Sequence, residues 1–202
     1  MSIHHIVFDI GRVLIHWDHH AAYLEALPDE EARLRFFEDV DFQGWNLQQD
    51  AGRSWAEGER DLAAQFPHYE ELIRLFRKNW HLTVPHAIDE SVAIMRDLID
   101  CGYDVTLLTN WSADTYPIAT ERYGFLAEPR GVTVSGEIRM VKPDPAIYDH
   151  HQRTFELDPE RTLFIDDSER NVKAARAFGW QAVLFVSPGQ LRADLRDHGI
   201  ST

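Results

Sequence analysis

The run Ile6-Val7-Phe8-Asp9-Ile10-Gly11-Arg12-Val13-Leu14 decides how this chain is read. A short apolar, β-type stretch breaks off in a carboxylate, and a glycine follows two positions later. Two further segments repeat the theme: Val105-Thr106-Leu107-Leu108-Thr109-Asn110 and Thr162-Leu163-Phe164-Ile165-Asp166-Asp167-Ser168. A fourth, Val141-Lys142-Pro143-Asp144-Pro145-Ala146-Ile147-Tyr148, sets a lysine just before a proline-started helix. In an open parallel α/β sheet, ligands bind outside the carboxyl ends of the strands. Asp9, Thr109, Asp166 and Asp167 are therefore expected to converge there, with Lys142 reaching in.

Outward from these segments the chain divides in two. Ile3 to Asp9 reads as a buried strand. From about His19 to Leu82 the periodicity is helical. Tyr23, Leu24 and Leu27 fit one face, and Pro28-Asp29-Glu30 opens another helix with Leu34, Phe36 and Phe37 as core candidates. Ser54 with Glu57 three residues on is a capping box. Tyr69, Leu72, Ile73, Phe76 and Trp80 carry the spacing of one more helix, and Phe42-Gln43-Gly44-Trp45-Asn46 reads as a loop. After Pro85 strands and helices alternate. Strands are expected near 104–109, 131–134, 161–165 and 182–186. Helices are expected over 88–100, 112–123 (with a late start at Pro117), 143–155 and 168–178, and after Ser187-Pro188. Such alternation calls for a doubly wound parallel sheet, a Rossmann-like α/β core. The boundaries are 1–17 and 84–202 for the core, with 18–83 inserted as a small helical cap.

Composition narrows the function classes. An apolar share of 44% and a charged share of 27% fit a globular domain rather than a disordered chain. A net charge of −14 argues against nucleic acid and anionic membrane surfaces as partners. Positive potential for an anionic ligand must then be local. The single cysteine, Cys101, cannot form an internal disulfide and reads as a small core residue. The sequence enters a strand almost at once and has no long apolar run, so a reducing cytoplasm is the expected compartment. The pairs His4-His5, His19-His20 and His150-His151 lack the spacing of a helical zinc site, and adjacent side chains diverge.

In all four segments the chain resembles the haloacid dehalogenase-like superfamily, most of whose members are magnesium-dependent phosphatases. The resemblance implies that Asp9 is the nucleophile, forming an acyl phosphate. It implies that Thr109 and Asn110 hold phosphoryl oxygens and that Lys142 balances charge. It implies a Mg ion held by Asp9, the main-chain oxygen of Gly11, Asp166 and Asp167, with Asp167 the direct ligand of the acidic pair and Asn171 orienting it. The substrate would be a small phosphorylated molecule, and the protein a monomer or homodimer.

Gly11 departs from the superfamily pattern, which usually has a second aspartate at that position acting as general acid and base. A proton donor of that kind supplies about 10²–10⁴-fold. The pattern Phe8-Asp9-Ile10-Gly11-Arg12-Val13 is similar to a bacterial subset that includes glucose-1-phosphate phosphatases. His16 is the first candidate substitute for the missing group. True haloacid dehalogenases also lack that aspartate, but they need no metal and usually carry serines in place of Asp166-Asp167. A dehalogenase is thus the alternative, and a non-catalytic binding protein a third. Arg12 either touches a substrate anion or is a solvated arginine. Trp45, Gln48, Asp50 and Trp55 lie in the cap, where aromatic rings either stack on sugars or pack between helices. Trp111 is a substrate-side candidate because Thr109-Asn110 fixes its place.

Overall fold

The computed structural model describes residues 2–200. The described elements, in chain order, begin with β1 (His5–Phe8). Four helices follow: α1 (Glu30–Asp39), α2 (Phe42–Asp50), α3 (Trp55–Gln65) and α4 (Glu70–Lys78). Then come α5 (Asp89–Asp100), β2 (Asp104–Thr109), α6 (Tyr116–Arg122), β3 (Val132–Val134) and the short α7 (Ser135–Ile138). The chain continues with α8 (Pro145–Thr154), β4 (Thr162–Asp166), α9 (Glu169–Phe178), β5 (Gln181–Leu184) and α10 (Pro188–Asp197).

The five strands form one parallel sheet in the order β3-β2-β1-β4-β5. This is the doubly wound α/β architecture expected from the alternation of the second half. β1 is central and its near-continuous apolar run is explained by burial on both faces. Ile6 and Phe8 join Leu107, Leu163 and Ile165 in one core, while Val7 joins Leu108, Phe164, Tyr148 and Trp180 in the other. The strand order reverses beside β1, between β2 and β4, which makes the carboxyl ends of β1 and β4 the ligand crevice.

The helical block between β1 and α5 stands over that crevice. Tyr23, Phe36, Phe42, Trp45, Trp55 and Phe76 are buried there and meet mostly edge to face, the favoured geometry for aromatic rings. Ser54 and Glu57 form both halves of the capping box at the start of α3. Among the described residues, no helix is long and apolar enough to cross a membrane.

Some local expectations give way. The stretch Phe42 to Asn46 is the start of α2, not a loop. Its N-cap Asp41 accepts from the Gly44 backbone, and a Cβ on Gly44 would collide with that side chain. Here the glycine makes room for the cap instead of marking a loop. Tyr23 is buried, but it follows the short 3₁₀ turn His19–Ala22 and Leu24 is 51% exposed. Leu34 is 50% exposed because Arg33 takes the inward face of α1 and donates to the Leu27 and Pro28 carbonyls at 2.6 and 3.0 Å. Cys101 is exposed, since α5 ends there and Gly102 adopts φ +83° to turn the chain.

Candidate active site

Each strand that borders the crevice ends in a polar group because the apolar run is as long as the sheet is deep. Phe8 lies opposite Leu107 and Ile165, so Asp9 emerges just past the ladder, its N–H donating to the Ile165 carbonyl at 2.9 Å. β2 ends on Thr109 and β4 on Asp166. The Asp9 carboxylate also accepts from the Ile10 N–H at 2.7 Å.

Lys142 enters from the loop before α8. Its Nζ lies 2.9 Å from Asp9 Oδ1 and 2.7 Å from Asp166 Oδ2, and donates to the Leu108 carbonyl at 3.0 Å. Its side chain is 1% exposed. Burial alone would lower the ammonium's pKa, but Asp166 and Asp9 outweigh it and hold the group charged above its ordinary value. Asn110 clamps the same loop, donating to the Lys142 carbonyl at 3.0 Å and accepting its N–H at 2.8 Å.

One ammonium is set among three carboxylates. Oxygens of Asp9, Asp166 and Asp167 all lie within 4.8 Å of one another. Asp9 is pushed up to about 7, first by burial and then by Asp166 and Asp167, against the pull of Lys142. Asp167 is also raised, by burial and by Asp166, with Arg12 and Lys142 opposing. An all-oxygen donor set with surplus negative charge suits a hard divalent cation such as Mg. In the turn after β1, the hydrogen bonds are accepted by the carbonyls of Ile10 and Ile15, not of Gly11. Asp9, Asp167 and the Gly11 carbonyl are the groups that would hold the ion directly. Asp166 is occupied by Lys142, by the Ser168 N–H at 2.8 Å and by Asn171 Nδ2 at 3.0 and 3.1 Å.

Asp9 and Asp167 lie at a cleft of about 250 Å³, with Lys142 and Asp166 buried behind them. Asp9, Gly11, Thr109, Asn110, Asp167 and Ser168 line it from the sheet side, with Arg12 at the turn. Arg12 adopts φ 59°, lies 5.1 Å over the Trp17 ring and approaches Asp167 at 4.0 Å. The opposite wall holds Trp17, Asn46, Asp50, Trp55 and Trp80, with Trp111 and Thr115 between. The Trp111 indole N–H is buried and has no hydrogen-bond partner.

Several sequence-based placements need correction. Trp45 does not reach the cleft: its ring packs at 5.2 Å on Trp55 and its Nε1 donates to the Gly58 carbonyl at 3.1 Å. Gln48 faces away, bonded to Arg53. Asn171 holds Asp166, not Asp167. The Asn110 side chain serves the Lys142 loop, although the residue lines the cleft. His16 is exposed beside His86 and is not among the cleft residues. Sequence reasoning passed over Trp17, read Asn46 only as part of a loop, and gave Trp80 only a packing role. The usable signal was a set of tryptophans flanking the motif ends, since indoles pair apolar area with a donor.

Residues 3–179 match the haloacid dehalogenase-like hydrolase family. The chain belongs to that family. A phosphoglycolate phosphatase of Nitrosococcus oceani is 38% identical over 98 residues, which cover 48% of this chain and 43% of that protein, so the match spans less than half of the relative's length. A family enzyme of Bacteroides thetaiotaomicron, solved with magnesium and inorganic phosphate, superposes with TM-score 0.73 at 23% identity, over 92% of this chain and 96% of that one. The L-2-haloacid dehalogenase of Xanthobacter autotrophicus with chloropropionic acid covalently bound superposes with TM-score 0.65 at 16% identity, over 100% and 85%. At such identities, these two superpositions establish the fold that this family member shares with both a phosphate-binding relative and a dehalogenase.

Proposed function

We propose that this family member is a Mg-dependent phosphatase of small phosphorylated metabolites, acting through an aspartyl phosphate on Asp9. The carrying observation is the crowding of Asp9, Asp166 and Asp167 around a single ammonium. Such a set is costly without a cation and suited to phosphoryl transfer with one. Bound Mg would neutralise charge on the transferring phosphoryl group. Asp9 supplies the attacking oxygen, oriented by the Ile10 N–H and Lys142. Thr109 and the backbone beyond β2 meet phosphoryl oxygens, and Lys142 offsets charge as it spreads in the transition state. Asn171 and Ser168 keep Asp166 fixed while that happens.

Residues 1–17 and 84–202 serve as the catalytic core and 18–83 as the cap that chooses the substrate. The indoles of Trp17, Trp55, Trp80 and Trp111 favour a leaving group with an apolar face, as a sugar ring has. A reducing cytoplasmic setting suits the lone thiol, and a monomer or homodimer suffices because one chain supplies the whole cleft.

A panel of sugar phosphates, phosphoglycolate, nucleotides and 2-haloacids, assayed with Mg and with chelator, tests this. Phosphate release that needs Mg is expected. Gly11, which carries no acid, keeps a dehalogenase in view, and chelator-resistant turnover of 2-chloropropionate would select it.

A further inference from the structure

An aspartyl-phosphate route through Asp9 leaves the departing oxygen without a proton donor at its usual place. Gly11 has space for one: a Cβ built there meets nothing within 4 Å, and its φ is not positive. The side chain is absent although nothing crowds it out. Resting on the phosphatase reading, we infer that Asp50, on the opposite wall of the same cleft, protonates the leaving oxygen and then deprotonates the attacking water.

Asp50 is the last residue of α2 and lines the cleft with Asp9, Gly11 and Thr109. It is held there. Its carbonyl accepts from Ser135 Oγ at 2.6 Å, and that hydroxyl in turn accepts the Trp111 backbone N–H at 2.9 Å. Its carboxyl accepts from Asn46 Nδ2 at 3.1 Å. Two residues on, Gly52 at φ +94° lies so close to the core that a Cβ would stand 2.7 Å from Arg139 Cγ and 2.9 Å from the Gly136 carbonyl. This carboxyl sits on a cap segment joined to the sheet domain, so its distance to the strand ends is set by the fold.

Its surroundings favour the neutral acid. A carboxylate at a helix C-terminus opposes the macrodipole. The neighbouring walls are the indoles of Trp17, Trp55, Trp80 and Trp111, which offer little to a charge. Asp9 and Asp167 line the same cleft from the strand ends, and a bound phosphate would add negative charge there. Arg12 lines the cleft but leans on Trp17 and Asp167, Arg53 is taken by Gln48 and Asp61, and Arg139 packs on Gly52. Burial raises the group to about 7, with the Ser112 N–H pulling the other way. An acid balanced near neutrality can both give and take a proton there.

The steps balance. An Asp9 oxygen attacks phosphorus and the bond from phosphorus to the alcohol oxygen breaks. Its electron pair leaves with that oxygen, which takes the Asp50 proton. Water then attacks the aspartyl phosphate, Asp50 carboxylate takes its proton, and the phosphorus bond to Asp9 breaks. Free Asp9 carboxylate, inorganic phosphate and neutral Asp50 result.

The experiment is a series of aryl and alkyl phosphates with graded leaving-group pKa, run with Mg on the unmodified protein, Asp50→Asn, and Asp50→Asn combined with Gly11→Asp. For alkyl phosphates, kcat/KM should fall about 10²–10⁴-fold in Asp50→Asn. For 2,4-dinitrophenyl phosphate, whose leaving group needs no proton, kcat/KM should hold within a few fold and phosphoenzyme should accumulate. Adding Gly11→Asp should restore part of the alkyl rate. An equal loss across the series, or none, overturns the role of Asp50 while leaving the phosphatase reading in place. An unmodified protein inert toward every ester, or an Asp9→Asn variant as active as it, overturns that reading itself.

Discussion

The two walls of the cleft are built by different rules. On the sheet wall, the acidic and hydroxyl groups are fixed by the place where a strand stops, Asp9 after β1, Thr109 ending β2 and Asp166-Asp167 at the end of β4, while Lys142 comes in behind them from a loop. On the cap wall, the groups come from helix ends and turns, and aromatic packing sets their positions. Trp45 and Trp55 lie ten residues apart in sequence and touch, yet only Trp55 reaches the cleft. The sheet wall carries charge in a buried network, whereas the cap wall is mostly indole with one carboxyl. Buried charge is thereby gathered on one side of the cleft and aromatic area on the other, with Asp50, among the described residues, the one carboxyl facing in from the helical side.

The largest break in that comparison is Asp9→Asn. The isosteric change keeps the fold and removes the attacking oxygen. Turnover should fall on the order of 10⁶-fold, as loss of a covalent nucleophile does elsewhere. Substantial residual phosphate release would take Asp9 out of its role and leave the sheet wall as mere scaffolding.

Next comes the ion network. Lys142→Met strands Asp9 and Asp166 in a buried site without their cation, which should cost about 3–5 kcal/mol in urea unfolding. The cap offers a control in the exposed pair Arg74–Glu70, 2.8 Å apart with both side chains over half exposed. Arg74→Met should move stability by less than about 0.5 kcal/mol. Similar losses at the two sites would erase the distinction between the walls.

The sheet wall was legible in sequence for the same reason it is rigid. A buried strand has a fixed rise and ends where polarity begins, so Asp9, Thr109 and Asp166-Asp167 could be placed without coordinates. Lys142 followed from its position before Pro143 and the α8 helix. The cap wall was not legible, because helical periodicity tells which residues are buried but not against what. Trp45 and Trp55 carry the same signal and have different fates. Asn171 was misassigned because a helix after a strand can orient either of two adjacent carboxylates, and only the rotamers decide. Leu34 and Arg33 show the limit from the other side: an arginine whose guanidinium reaches two carbonyls takes the inward face from a leucine.

A smaller effect tests how acid reaches each wall. His151 is buried under the sheet between Thr106 Oγ1 at 3.0 Å and Thr133 Oγ1 at 2.8 Å. Burial lowers its pKa to about 3 from the usual 6.5. The unfolded chain therefore binds the extra proton first. Stability from this group is fully present above about pH 6.5 and is lost as pH falls toward 3, by up to about 1.4 kcal/mol per pH unit. His19 in the cap is also lowered, to about 4, by burial and by His20. It is only partly buried, so its share should be smaller. His151→Gln should flatten the slope of Tm against pH in that window by about one proton, and His19→Gln by less. An unchanged slope in His151→Gln would mean that some other group protonated first in the unfolded chain sets the acid sensitivity, since Asp9 and Asp167, with raised pKa values, act in the opposite sense.

The smallest expected effect lies at the start of α3 and separates stability from chemistry on the cap side. Ser54 caps the helix through the Glu57 N–H, and Glu57 reaches back to the Ser54 N–H and hydroxyl. Replacing such a cap with alanine costs about 1 kcal/mol. Trp55 comes next in the chain and is fixed to the core independently of the box. Its N–H donates to Asp114 at 2.9 Å and its Nε1 to Ser112 Oγ at 2.9 Å. Ser54→Ala should therefore lower the urea midpoint while kcat and KM stay close to those of the unmodified protein. A rise in KM without loss of stability would show that the box, rather than the bonds from Trp55 to the core, positions the indole over the substrate. The cap wall would then depend on helix-end chemistry as directly as the sheet wall depends on strand ends.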